Sequence, residues 1–318
     1  MKKIFSLVFM ILGIVQLSPN LYSEDFIDTE GKDFWVTFMP NYHQEDYYSA
    51  NNDSLFVFIA ASKPTKGKIE YKNMYNKSYV HNFVITDISK IYSFGVHYED
   101  FELLGVNDGG TIDTYDAQTA RVAKQSFHIT SDDDITVYAY TEALKTSEAC
   151  IVLPTEVLGK DYIMLSYNSD VKSAFYGGIE SQSTPSQFAV VATENNTTVK
   201  ITPSAYVFVN SNQEHQVTLN KGESYLVQAD LNYALLDLTG SLISADKPIA
   251  VFSGHQRATI PIEEVTSSSS RDCLFEQMLP TKNWGRNAFI IPFEQSANTE
   301  KLGNDIYRIL SSTDDNKI

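Results

Sequence analysis

The chain has 318 residues, 43% hydrophobic and 20% charged, with a formal net charge of −16. This is enough apolar material for roughly two domain cores, and it excludes a disordered or collagen-like chain. The acidic balance excludes nucleic acid and anionic lipid headgroups as direct partners.

The first predicted element is a targeting segment over 1–23. Lys2 and Lys3 precede an apolar run, Ile4 to Leu17, too short to span a bilayer, and Leu21, Tyr22 and Ser23 offer a cleavage site before Glu24. No later stretch is long and apolar enough for a membrane helix, so the expectation is an exported chain with no membrane insertion after signal removal.

A strand, "GKDFWVTFMP", begins at Gly31; Trp35 alternates with Phe34 and Val36, both faces look apolar, and core packing is expected for the indole. "NYHQEDYYS" (41–49) is a polar loop whose Tyr42, Tyr47 and Tyr48 form a candidate ligand surface. "LFVFIAASKPTKGKIEY" (55–71) reads as a hairpin turning at Pro64 and Gly67, and "KSYVHNFVIT" and "IYSFGVHY" read as strands. "NDGGTIDTYD" places Asp108, Asp113 and Asp116 in a loop. "SDDD" places Asp132, Asp133 and Asp134 in a turn ahead of the strand "ITVYAY". Such carboxylate runs suit calcium, but neither follows the order of a dedicated calcium loop, so a solvated turn competes with a metal site.

The chain then repeats itself. "GKDYIMLSYN" begins at Gly159 and "GRNAFIIPF" at Gly285, each led by "LPT-x-x-x-G" (153–159 and 279–285). "QFAVVATENNTTVKITPS" (187–204) matches 55–71 as a second hairpin, and "SADKPIAVFSG" (244–254) matches "TSDDDITVYAY" (130–140). "HQVTLNKGESYLVQ" (215–228) reads as a further hairpin turning at Asn220–Gly222. "DIYRILSSTDDNKI" (305–318) reads as the same hairpin once more, cut at its returning strand, so the chain is expected to be a fragment that stops inside a third copy. Copies of this length are domains rather than solenoid units of about 20–50 residues. The predicted fold is all-β: tandem antiparallel β-sandwich-like units over 24–158 and 159–284, with the start of a truncated third over 285–318. The alternative is one composite domain whose repeats pack face to face and share a core.

Catalytic constellations are missing from the pattern. The six histidines are scattered, and no H-E-x-x-H, paired C-x-x-C or phosphate-binding glycine loop occurs. Ser253 and His255 share a strand face, but without a G-x-S-x-G elbow they read as a strand end. Trp284 sits in a turn and is a second candidate for ligand contact. Cys150 and Cys273 lie far apart in sequence, and export permits them to pair.

The ordered blocks "GKDFWVTFMPN", "SQFAVVATENNTTVKITPS", "LTGSLISADKPIAVFSGHQ" and "CLFEQMLPTKNWGRNAFIIPF" resemble the N-terminal region of the IgG-Fc-binding protein family, over essentially everything from Gly31 onward. The resemblance implies a non-catalytic extracellular or cell-surface binding or structural module, here a bacterial exported member engaging a protein or glycan without a cofactor. The family pattern also implies a cysteine shortly after "SGHQ", facing the one before "EQ". Arg257 stands in that neighbourhood, which leaves Cys273 free or reaching Cys150. Two other readings stay open: a carbohydrate-active enzyme or its accessory domain, and a calcium-stabilised adhesin.

Overall fold

The computed structural model describes residues 28–43, 53–105, 118–144, 146–170, 183–209, 212–233, 235–260, 271–287, 289–291 and 306–313. The leader, Tyr47, Tyr48, Asp108, Asp113 and Asp116 lie outside them. The described residues form antiparallel strands and short 3-10 turns, as the all-β reading expects. The first sheet holds β1 (Glu30–Val36), β2 (Ser54–Ala61), β3 (Thr65–Lys72), β4 (Ser78–Ile85) and β5 (Tyr92–His97). After the two-residue β6 (Val122–Ala123) come β7 (Phe127–Ala143) and β8 (Thr146–Val152), which complete that sheet. Its order is β4-β3-β7-β2-β5, with β1 and β8 also on β7. The second sheet holds β9 (Gly159–Ile163), β10 (Ser186–Ala192), β11 (Thr197–Thr202), β12 (His215–Leu219), β13 (Ser224–Gln228), β14 (Leu242–Ala258) and β15 (Asp272–Gln277). Its order is β12-β11-β14-β10-β13-β6, with β9 and β15 on β14. Apart from β6, the two sheets have one topology: the sequence repeat is a repeat of structure.

The organising element in each sheet is a bent strand of 17 residues. β7 pairs with β3 as far as Ser131 and joins β2 at Ile135. β14 likewise pairs with β11 through Ala245 and with β10 from Ile249. The "SDDD" run therefore bends the middle of a strand rather than preceding one. This also corrects the hairpins. The strands over 55–71 and 187–204 form, but the first turn ends at Pro64 and Gly67 belongs to β3; moreover, β7 enters between β2 and β3, and β14 between β10 and β11. The strands of 215–228 do not pair either: β12 lies on β11, whereas β13 lies on β10. Local turn chemistry brings two strands side by side, but a later strand with a long apolar face can take the hydrogen bonds between them.

Each "LPT" turn closes its own copy as well as leading into the next. The 3-10 turns Thr155–Val157 and Thr281–Asn283 come directly after Pro154 and Pro280. Pro154 packs so closely on Gly31, and Pro280 on Gly159, that a Cβ on either glycine would lie 2.5 and 2.4 Å from the proline Cβ. Only glycine admits that approach. At Gly285 the corresponding space is open, the nearest atom being Asn287 O at 3.6 Å.

Burial shows how the copies pack. β2 alternates, with Leu55, Val57 and Ile59 inward. β10 is buried along its whole length. Phe188 and Val190 enter one core with Tyr162, Ile201 and Val251. Ala189 and Val191, with Ala250, Phe252 and Phe275, enter the core of the first sheet instead. The second sheet is covered on both faces, which is why its central strand reads as an unbroken apolar run. The two curled sheets thus stack face to back, and residues on the back of the second sheet complete the core of the first.

Candidate functional site

An open groove of about 510 Å3 lies between the first sheet and the β12–β13 turn of the second. Its floor is set by cross-strand pairing. Trp35 on β1 stands opposite His128 on β7, and the rings stack at 3.9 Å and 9°. Tyr71 on β3 stands opposite Tyr79 on β4, but both lie on the other face of the sheet, where the Tyr71 ring stacks on buried Phe127 at 5.2 Å. Lys68, Glu70 and Lys72 alternate along β3 and so share the face opposite buried Ile69. The far wall comes from the other copy: Gly222, at φ +76°, brings its backbone against the Trp35 ring, where a Cβ would sit 3.1 Å from the indole. Lys221 lies over that ring at 5.4 Å. Ser126 Oγ donates to Gly222 O at 2.7 Å, and Lys124 pairs with Glu223, so the turn is held in place.

His128 is tied from behind: Nε2 meets Asp33 Oδ2 at 2.8 Å, and Nδ1 lies 3.8 Å from Glu70. Burial alone would raise the Asp33 pKa, but the hydrogen bonds from His128 and Thr155 outweigh it, and the carboxyl sits below its ordinary range. Lys68, Lys72 and Lys221 thus stand around the stacked Trp35 and His128 rings in a groove on a chain whose net charge is −16. Glu70 is the one carboxylate among the described lining residues, so the opposed pair that glycoside hydrolysis requires is not assembled there.

The residues singled out in the sequence are dispersed. Trp35 is 5% exposed and in the core cluster, as expected, yet its ring also lines the groove, a double role the alternation could not reveal. Tyr42 is half-buried under the Arg257 guanidinium, 4.4 Å from its ring centroid. Beside it Arg271 pairs with Asp170 at 3.2 Å, and His43 lies between Asp53 and Glu102. Arg257, in the place where the family resemblance implied a cysteine, is a packing contact. Trp284 is half-buried, its Nε1 donating to Leu279 O at 3.0 Å.

Asp133 pairs with Lys63 at 2.7 Å and Asp132 lies 3.7 Å from Lys66. Among the described residues no group of three or more His, Cys, Asp or Glu could hold a metal. Cys150 and Cys273 are free and buried. Cys273 donates its amide to Thr146 Oγ1, while the carboxamide at the Cys150 end, Gln277, receives the amide of Leu153. The pairing entertained from the sequence is therefore not made: Thr146, rather than Cys150, stands beside Cys273.

Ser253 and His255 do share a strand but engage separate backbone groups. Ser253 Oγ donates to Leu165 O at 2.8 Å, and His255 Nε2 lies 3.0 Å from Asn168 O. They form no nucleophile–base pair. The groove lysines escaped the sequence reading because Lys68, Lys72 and Lys221 come from different copies; the one available signal was the alternation of Lys68, Glu70 and Lys72.

An all-β scaffold that holds rings and ammonium groups around an open groove is that of a binding module. A family model described as "IgGFc binding protein" matches residues 148–318, more than half the chain. The human IgGFc-binding protein is 26% identical over 178 residues, 54% of this chain and 3% of its own length. The chain belongs to the IgGFc-binding protein family. The match takes in most of β8, the second sheet and the residues from there to 318. The first copy, with most of the groove, precedes it and is tied to it by the internal repeat.

Proposed function

We propose that this chain is an exported, non-catalytic binding module whose groove takes an acidic segment of a protein partner. The observation that carries this is the convergence of Lys68, Lys72 and Lys221 with the stacked Trp35 and His128 rings on an acidic chain. Cationic groups over aromatic rings draw a complementary charge into register, and the rings supply apolar contact area. Export is supported by the basic and apolar pattern of residues 1–23, and no helix among the described residues is long and apolar enough to cross a membrane.

The test is an array of acidic, neutral and basic peptides, with immobilised Fc and with sialylated and neutral glycans on the same support. Binding concentrated on acidic peptides, and lost in Lys68→Glu and Lys221→Glu, supports the proposal. Binding that survives both substitutions would place the partner elsewhere. Capture by glycans alone would move the partner class to carbohydrate, for which the same rings offer stacking faces.

A further inference from the structure

The open face of the first curled sheet is closed by the back of the second. Gln187, Ala189 and Val191 alternate along β10 toward the first copy, and Ala189 and Val191 enter its core. Gln187 Nε2 donates to Pro40 O at 2.8 Å. Pro40 lies as far after Gly31 as Asn168 lies after Gly159, so the second copy carries an equivalent receiving edge at Ser166–Asn168.

That edge is occupied. Arg308 lies over the Tyr167 ring at 4.4 Å. Its guanidinium donates to Ser166 O at 2.7 Å, Asp237 Oδ2 at 2.6 Å, Thr239 Oγ1 at 3.0 Å and Asn168 Oδ1 at 3.0 Å. Matching the turns "TENNT" and "STDDN" sets Arg308 on Ala189 and Leu310 on Val191. These two are the half-buried residues of 306–311, while Ile306, Tyr307 and Ile309 are exposed. From Tyr307 to Ser311 exposed and half-buried residues alternate with the period of a strand laid back-face down; Ile306, which falls on Gln187, is exposed and lies before that alternation. Around the edge Tyr206, Tyr233 and Leu235 are 42%, 48% and 54% exposed, an apolar rim larger than one arginine covers.

We propose that the open side of the second copy is a docking surface for the back of a further copy of the same repeat. The occupant is the copy that begins at Gly285, with Arg308 as its anchoring side chain. Each copy then receives the next as the first receives the second, and the stack grows in one direction. Such a head-to-tail contact does not close on itself.

The test uses the full chain and reads amide hydrogen exchange on the receiving edge, in peptides covering 163–170 and 235–241. Arg308→Asp should raise exchange there roughly tenfold or more, the shift expected for losing a charge-assisted contact from a locally opening surface. Asp237→Arg combined with Arg308→Asp should recover part of the protection. Leu310→Asp should also expose the edge, whereas Ile309→Asp should leave it protected. Equal effects at 309 and 310 would reduce the contact to an isolated arginine clasp and overturn the repeat-type docking. No effect of Arg308→Asp would overturn the docking altogether. Unchanged far-UV circular dichroism in each variant keeps local release distinct from unfolding.

Discussion

His255 should make the fold acid-sensitive by a calculable amount. The imidazole is fully buried, and its neutral form is specified by backbone on both sides: Nε2–H faces Asn168 O, and Nδ1 accepts the Arg257 amide at 2.9 Å. A second ring proton would meet that amide head on. Burial above all pushes the pKa down from 6.5 to about 3, with Arg271 adding repulsion while the Asn168 carbonyl and Asp237 oppose the change. Because the folded value lies below the unfolded one, the unfolded chain binds the proton first and stability falls as pH drops through 6.5. At 1.36 kcal/mol per unit the loss is about 2 kcal/mol at pH 5 and about 3 kcal/mol at pH 4.

Glu276 works in the opposite direction: burial, with the Glu148 charge behind it, raises its pKa to about 7, so its ionised form is disfavoured in the fold and stability rises as pH falls below 7. The wild-type curve alone would blend the two. The assay is therefore urea unfolding of wild type and His255→Asn at pH 7, 5 and 4, compared as a difference. Wild type should be the more stable at pH 7, and its advantage should shrink by about 3 kcal/mol at pH 4. A difference that stays constant across this range would refute the neutral-imidazole account.

Three further outcomes rest on packing. Phe252 is fully buried between the sheets and packs on Phe275 at 5.6 Å, so Phe252→Ala should cost about 3–5 kcal/mol in urea and weaken both copies in one transition; a separate early transition for one copy would contradict the shared core. Gly159→Ala drives a Cβ to 2.4 Å from Pro280 and should cost about 1–3 kcal/mol by calorimetry, while Gly285→Ala, with open space, should stay within about 0.5 kcal/mol. Burial holds the Cys150 thiol well above its ordinary pKa and pushes Cys273 up to about 12, so neither should react with an aqueous thiol reagent until the chain unfolds, after which mass spectrometry should count two adducts. A labelled native chain would show that one of them is accessible.

The repeat was legible because each copy must keep the same residue types at the same spacing. Gly31 and Gly159 must meet Pro154 and Pro280, and the bend between two partner strands needs a short polar run, so "SDDDI" and "ADKPI" recur in place. Strand positions were legible because alternation along β2 and the apolar run of β10 each record what covers the strand. Pairing was not legible. Nothing in 55–71 says that a strand beginning at Phe127 will enter between its halves, because that choice is settled by contacts distant in sequence. The groove was hidden likewise: Trp35 and Lys221 meet only when the copies stack.

Comparing the two copies separates what the fold requires from what the groove adds. Trp35 faces His128 across β1 and β7, and the equivalent pair in the second sheet is Ile163 facing Leu242 across β9 and β14. Glu70 and Tyr71 are replaced by Thr202 and Pro203 when Ile69 is set on Ile201. Yet both sheets keep the same strand order, the same bend and the same glycine–proline contact. The scaffold therefore closes with aliphatic residues at these positions as well as with a stacked indole and imidazole. Stacked rings, a tethered histidine and ammonium groups from two copies are a costly way to fill a site that isoleucine and leucine can fill, because the lysine side chains lose rotamer freedom when they are held. That asymmetry favours recognition over folding as the reason the first groove is built as it is.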